Sequence, residues 1–248
     1  MDLGFDGKTA LITGASRGIG AATARLLAGE GADIVVGYGR DRDSAERSAA
    51  VVRSLGRRAW TVPMDIAEPD SVAAAARSVS EQVGAIDTAV LCAGQNIVTP
   101  MTELEPSEWA ALIAVNLNGT YNTLHAFAPM INDGGSIVIV SSVAARTGAP
   151  RHAHYAAAKA GQVNLSKSAA RALAPRVRVN CVAPGITRTE IGEATIASLP
   201  GDYARTKLLA QRFAEPDEIA RCIAFVASPV SGFMYGATID INGGRDLR

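Results

Sequence analysis

The chain is poor in residues that staple, ligate or anchor. Its 248 residues include three cysteines, Cys92, Cys181 and Cys222, widely spaced and each set in an apolar run. With no CxxC pair, neither a zinc knuckle nor a disulfide framework is expected, and all three read as reduced core thiols. Lysine occurs only at Lys8, Lys159, Lys167 and Lys207. His152 and His154 have no third partner at ligand spacing, so no metal is expected, and both read as rim or solvent-facing residues. The formal charge is zero, 24 basic residues against 24 acidic, which leaves no support for a role on nucleic acid or membrane surfaces driven by bulk charge. No segment approaches the ~18 uninterrupted apolar residues that mark a membrane span. The opening MDLGFDGKTALITG has acids where a secretory signal needs bases. A cytoplasmic protein with no nucleic-acid or membrane partner is therefore expected.

What is present is apolar and balanced: 48% hydrophobic residues against 19% charged, a composition that excludes disorder. Short apolar runs at 9–13, 33–38, 59–64, 86–92, 136–141, 177–183 and 237–241 lack polar/apolar alternation, as strands covered on both faces do. Helix-length, alanine-rich stretches lie between them, at 18–30, 42–55, 69–83, 107–131, 153–174 and 215–227. Ser44, Asp70 and Ser107 stand where caps are needed, and Pro216 occupies a first-turn position. The alternation predicts an α/β fold: one domain over 1–248, a doubly wound sheet of seven mostly parallel strands with helices on both faces. The stretch 186–212 departs from the pattern and reads as a substrate lid.

TALITGASRGIGAATARLLAGEGADIVV runs from a strand through Gly14, Gly18 and Gly20 into a helix and a second strand. Such a turn lets a pyrophosphate approach the backbone at a helix N-terminus. Its spacing is GxxxGxG, and no GK[ST] follows. Gly14, Ser16, Arg17, Gly18, Ile19 and Gly20 are the candidate dinucleotide-binding set. The second strand ends VVGYGR, with Tyr38 and Arg40 at the ribose and no acid before Asp41. Arg17 and Arg40 are placed to meet a 2′-phosphate, so NADP(H) is expected in preference to NAD(H).

Further on, Ser142 ends a strand, and Tyr155 and Lys159 form an i,i+4 pair on one face of a helix. A nearby ammonium would lower the tyrosine's high pKa and fit it for proton transfer. TGASRGIG, Ser142, and YAAAK thirteen residues later resemble the short-chain dehydrogenase/reductase family of the single-domain Rossmann type, closest in look to 3-oxoacyl-[acyl-carrier-protein] reductases. Asp65, Asn116 in VNLNGT, the APG of 183–185 and the NGG of 242–244 follow in family order. The resemblance implies that Tyr155 is the general acid in carbonyl reduction, and that Lys159 holds the nicotinamide ribose and tunes Tyr155. It gives Ser142 the polarising of the carbonyl and Asn116 the holding of a water in a proton relay. It places Asp65 and Ile66 beside adenine and Ala93 and Gly94 along the cofactor. Ile186 and Thr189, following Pro184 and Gly185, would reach the carboxamide. It also implies a homotetramer packed through 107–131 and 153–174.

One departure is the LCAG of 91–94, where the family has NNAG, so packing there must be solved differently. A carrier-protein partner should meet a basic patch, and APMINDGGS has none; Arg171, Arg176 and Arg178 read as surface charges. A free small-molecule carbonyl or alcohol is favoured, with acyl-carrier protein an open alternative. Oxidation of a sugar, a cyclic alcohol or a secondary-metabolite intermediate is a second reading. A non-catalytic NADPH sensor is a third.

Overall fold

Seven strands form one parallel sheet in the computed structural model, which describes residues 2–247. They are β1 Thr9–Thr13, β2 Asp33–Tyr38, β3 Ala59–Pro63, β4 Ile86–Leu91, β5 Ile131–Val140, β6 Arg178–Pro184 and β7 Thr238–Ile241. Their order is β3-β2-β1-β4-β5-β6-β7, and every neighbouring pair is parallel. The winding reverses between β1 and β4, which opens a crevice beyond the carboxyl ends of the strands. The helices are α1 Gly18–Gly29, α2 Arg42–Ser54, α3 Pro69–Gln82, α4 Pro106–Ile113, α5 Gly119–Phe127, α6 Ala144–Thr147, α7 Ala153–Leu173, α8 Glu190–Ala197, α9 Tyr203–Lys207 and α10 Pro216–Ala227.

The strand period of two divides the core. Ile12, Val36 and Val138 pack with Leu27, Val52, Ile219 and Ile223 under α1, α2 and α10. Leu11, Val35, Ile137 and Ile139 pack with Val72, Val79, Leu124 and Phe127 under α3 and α5. Each such side chain contributes about 1.5–3 kcal/mol when fully buried. Among the described residues, no helix is long and apolar enough to cross a membrane.

Several expectations are corrected. Asp41, not Ser44, caps α2, accepting from the Ser44 amide at 2.9 Å. Asp70 and Ser107 lie inside first turns that open on Pro69 and Pro106. The stretch 107–131 is not one helix: a π-helical turn at Ala114–Asn118 separates α4 from α5, and Ile131 already belongs to β5. Arg178 is not a surface charge. It is buried, and its guanidinium donates to the carbonyls of Val226, Ala227, Ser228 and Ser231 and to the Ser231 hydroxyl. Val226 and Ala227 are among the last carbonyls of α10, for which helical donors run out. Arg176 similarly donates to the carbonyls of Ile131 and Ala128.

Candidate active site

A cleft of about 860 Å³ lies at the strands' carboxyl ends. At its centre β1 delivers the chain into Gly14, whose φ of 65° favours glycine; a Cβ there would come within 2.8 Å of the Ala93 Cα. At Gly20 a Cβ would stand 2.3 Å from the Gly14 carbonyl oxygen. The turn is thus pressed flat, and the first amides of α1, which no helical carbonyl can satisfy, face the cleft. This cradle fits a pyrophosphate. Ser16, Arg17, Gly18 and Ile19 line it.

At one end stand Arg40, Asp65 and Ile66. The Asp41 carboxylate is engaged by the Ser44 amide and hydroxyl. Arg17 forms an ion pair with Glu190 in the first turn of α8, both side chains exposed. Tyr38, expected at the ribose, is not a lining residue: it follows Ile34 and Val36 into the core, while Gly37 and Gly39 face the cleft. The alternation of strand side chains decides this.

Ala93 and Gly94 line the middle. The altered LCAG segment is braced by Thr13, whose hydroxyl accepts from the amides of Cys92 and Ala93, each at 3.1 Å. Burial pushes the Cys92 thiol up to about 11, which keeps it protonated at neutral pH.

At the other end Asn116, Ser142, Tyr155 and Lys159 share one wall. The Ser141 hydroxyl donates to the Lys159 carbonyl at 2.8 Å, tying the end of β5 to α7. That tie sets Ser142 within hydrogen-bonding reach of the Tyr155 hydroxyl. Lys159 Nζ donates to the Val140 carbonyl at 2.8 Å and lies 5.4 Å from the centre of the Tyr155 ring. Burial raises Tyr155 to about 12 although the Ser142 hydrogen bond opposes it, and burial lowers Lys159 to about 8. The expected downward shift of the tyrosine is therefore reversed in this form, because desolvation outweighs the Ser142 hydrogen bond.

Asn116 sits in the π-helical turn, a feature frequent at functional sites. Its amide donates to the Gln95 carbonyl at 2.9 Å and accepts from the Gln95 amide at 3.1 Å. Its own carbonyl accepts from Gln162 Nε2 and Thr120 Oγ1, both at 2.7 Å. These bonds make Asn116 a brace of the cleft. Pro184, Gly185, Ile186 and Thr189 close the opposite wall, and the Thr189 hydroxyl caps α8 through the Gly192 amide at 3.0 Å.

The histidines divide. His152 lines the cleft. Its Nδ1 lies 3.2 Å from the Ile97 carbonyl and 3.0 Å from Asn96 Oδ1, so Nδ1 carries the proton. Burial, aided by the charges of His154, Arg151 and Arg245, holds it below its ordinary pKa. His154, expected at the rim, is wholly buried with Nε2 3.3 Å from Glu108 Oε1. Gln95, Asn96 and Arg245 also line the cleft and were not anticipated. The one available signal was position: two polar residues directly after LCAG, and an arginine directly after NGG.

A flattened glycine turn at the switch point, and a Ser–Tyr–Lys set across the crevice from it, define a class: dinucleotide-dependent oxidoreductases built on a doubly wound sheet. Within that class, the chain belongs to the short-chain dehydrogenase/reductase family. Residues 14–246 match the family described as Enoyl-(Acyl carrier protein) reductase. The chain is 35% identical over 240 residues to 3-oxoacyl-[acyl-carrier-protein] reductase FabG of Staphylococcus aureus (strain Mu50 / ATCC 700699), covering 96% of this chain and 97% of the relative. It is 39% identical over 251 aligned positions to cis-4-hydroxycyclohexanecarboxylate dehydrogenase of Sinomonas cyclohexanicum, covering 98% of each. A short-chain dehydrogenase from Burkholderia cenocepacia J2315, solved in complex with NADP, superposes with a TM-score of 0.91 at 34% identity, over 98% of this chain and 99% of that one. The protein is an oxidoreductase that binds a nicotinamide cofactor.

Proposed function

We propose that the protein reduces a ketone to a secondary alcohol with NADPH. The observation that carries this reading is Ser142, Tyr155 and Lys159 on one wall of a cleft whose opposite end presents Arg40 without an acid partner among the described residues. Asp41, the acid nearest Arg40 in the chain, serves as the cap of α2, its carboxylate accepting from the Ser44 amide and hydroxyl. Gly14, Ser16, Gly18, Ile19 and Gly20 would hold the pyrophosphate, and Arg17 and Arg40 the 2′-phosphate. Asp65 and Ile66 would flank the adenine. Ala93, Gly94, Pro184, Gly185, Ile186 and Thr189 would border the nicotinamide half, with Lys159 on its ribose. When bound, the cofactor supplies a hydride.

The chain's own part is to place and protonate the carbonyl. The Ser142 hydroxyl donates to the carbonyl oxygen and orients it. Tyr155, a neutral phenol at physiological pH, donates the proton that the oxygen takes up as it becomes an alcohol. The Lys159 ammonium then stabilises the phenolate left behind. The 39% identity to a cyclic-alcohol dehydrogenase supports a second reading, oxidation of a cyclic secondary alcohol at the same site.

A free small molecule is the favoured substrate. Arg176 and Arg178 spend their donors on backbone carbonyls, so they supply no docking patch for an acidic carrier protein, although a FabG relative bears that carrier in its name. Residues 186–212, with Ile191 and Leu199 facing the cleft, would act as a lid over a mostly apolar substrate. Exposed Trp109 and Tyr121 on α4 and α5 would pack against further copies in a homotetramer, which light scattering would detect.

The test is NADPH against NADH oxidation over a ketone panel that includes a 3-oxoacyl thioester, with Tyr155→Phe beside the wild type. NADPH-dependent turnover that falls about 10²- to 10⁴-fold in the variant is expected. Tight NADPH binding with no turnover of any ketone, or of the alcohols with NADP⁺, would point to a sensor instead.

A further inference from the structure

The strand β7 ends in the turn Asn242–Asp246, and this turn aims one cation at the cleft. Asn242 Oδ1 accepts from the amides of Gly244 at 2.9 Å and Arg245 at 3.1 Å, and Asn242 Nδ2 donates to the Asp246 carbonyl at 2.9 Å. The Gly243 carbonyl accepts from the Ala210 amide at 3.0 Å, and the Gly185 amide donates to the Ile241 carbonyl at 2.9 Å. The turn is therefore held on both sides, by the cofactor-side wall and by the chain after α9. A rigid backbone presenting an arginine loses little entropy when the fork binds a planar anion.

The neighbouring acid is already used: Asp246 pairs with Arg146. Among the described residues Arg245 has no ion-pair partner, although the side chain is only half exposed. Four acids line the cleft, Asp41, Asp65, Glu68 and Glu190. The first three stand at the ends of β2 and β3, and Glu190 is taken by Arg17. Among the described residues no other acid lines the cleft.

We infer that the substrate carries a carboxylate, separate from the reacting carbonyl, and that Arg245 binds it. The inference rests on the oxidoreductase reading of the same cleft and narrows its substrate to oxo acids or the matching hydroxy acids. Such a fork on a carboxylate is a charge-assisted, bidentate contact. It fixes the substrate at the end away from Ser142 and Tyr155, and so sets which carbonyl reaches them.

The test is calorimetric binding to the NADP⁺-saturated protein of three oxo acids of increasing carbonyl-to-carboxylate spacing: acetoacetate, 4-oxopentanoate and 4-oxocyclohexanecarboxylate. Each is compared with its methyl ester, in the wild type, Arg245→Leu and Arg245→Lys. At least one acid should bind about ten- to hundredfold more tightly than its ester. That preference should disappear in Arg245→Leu and survive in part in Arg245→Lys. Equal affinity for acid and ester in the wild type, no measurable acid binding, or a preference retained in Arg245→Leu would each overturn the inference. Turnover with NADPH is read in parallel samples: a preference without turnover counts against the reductase reading alone, and turnover without a preference counts against this inference alone.

Discussion

The ammonium of Lys159 lies 5.4 Å from the centre of the Tyr155 ring, yet its hydrogen bond runs to the Val140 carbonyl at 2.8 Å. The pair is thus arranged as a buried cation beside a buried neutral phenol. Burial moves the two groups apart on the pH scale, Lys159 down to about 8 and Tyr155 up to about 12. Proton donation by the phenol is favoured at neutrality, and loss of charge by the lysine is the first event as pH rises.

A pH profile follows from that order. The value of kcat/KM for reduction reports the groups of the free enzyme. It should hold level through neutrality and decline as pH passes about 8, where Lys159 loses its proton. A profile level up to pH 10 would mean that the lysine charge is not required.

The same burial makes Lys159 a cost to folding. Its folded pKa of about 8 lies below the ordinary 10.5, so the charged form is disfavoured in the native state and the full penalty is present below pH 8. That penalty fades as pH rises from about 8 to 10.5. Lys159→Met should therefore be more stable than the wild type near pH 7, by up to about 3 kcal/mol, while losing activity. Urea unfolding at pH 7 and pH 10 checks both the sign and the narrowing of the difference.

Cofactor preference should track two residues at the far end of the cleft. Arg40→Ala should weaken NADPH about ten- to hundredfold and leave NADH much less affected. Glu190→Gln removes the carboxylate that competes for Arg17 and should tighten NADPH. Fluorescence titration with both nucleotides measures this; equal losses for NADPH and NADH in Arg40→Ala would show that Arg40 meets no 2′-phosphate.

Arg178 should behave as a structural residue. Arg178→Ala removes a buried guanidinium whose charge-assisted hydrogen bonds to the carbonyls of Val226, Ala227, Ser228 and Ser231 are each worth about 1.5–3 kcal/mol. A loss of at least about 3 kcal/mol in urea unfolding is expected. Arg171→Ala, which removes an exposed side chain, should change stability by less than about 0.5 kcal/mol.

The strands were legible because a run covered on both faces has to be apolar almost throughout, as Val35 and Val36 show by packing against opposite helix layers. The glycine turn was legible because its function needs missing side chains, and Gly14 and Gly20 have room for none. Tyr155 and Lys159 were legible because helical spacing alone puts them on one face. Asn116 was found by its place in family order, but not the π-helical turn that carries it, since that turn is held by Gln95 and Gln162, which are remote in the chain.

The residues that were misread share a cause. Tyr38 stands next to a cleft-lining glycine in sequence, and only the direction of its side chain puts it in the core. Arg178 and His154 resemble surface residues until α10 and α4 are laid over them. Local pattern thus decided most element types, the glycine turn and the pairing of Tyr155 with Lys159, because each depends on residues close in the chain. The tertiary structure alone decided which charges are spent and which remain free. Arg178 is taken up by the end of α10 and Arg17 is shared with Glu190, whereas Arg40 and Arg245 face the cleft without an ion-pair partner among the described residues, because pairing is settled by distances that folding sets between residues far apart in the chain.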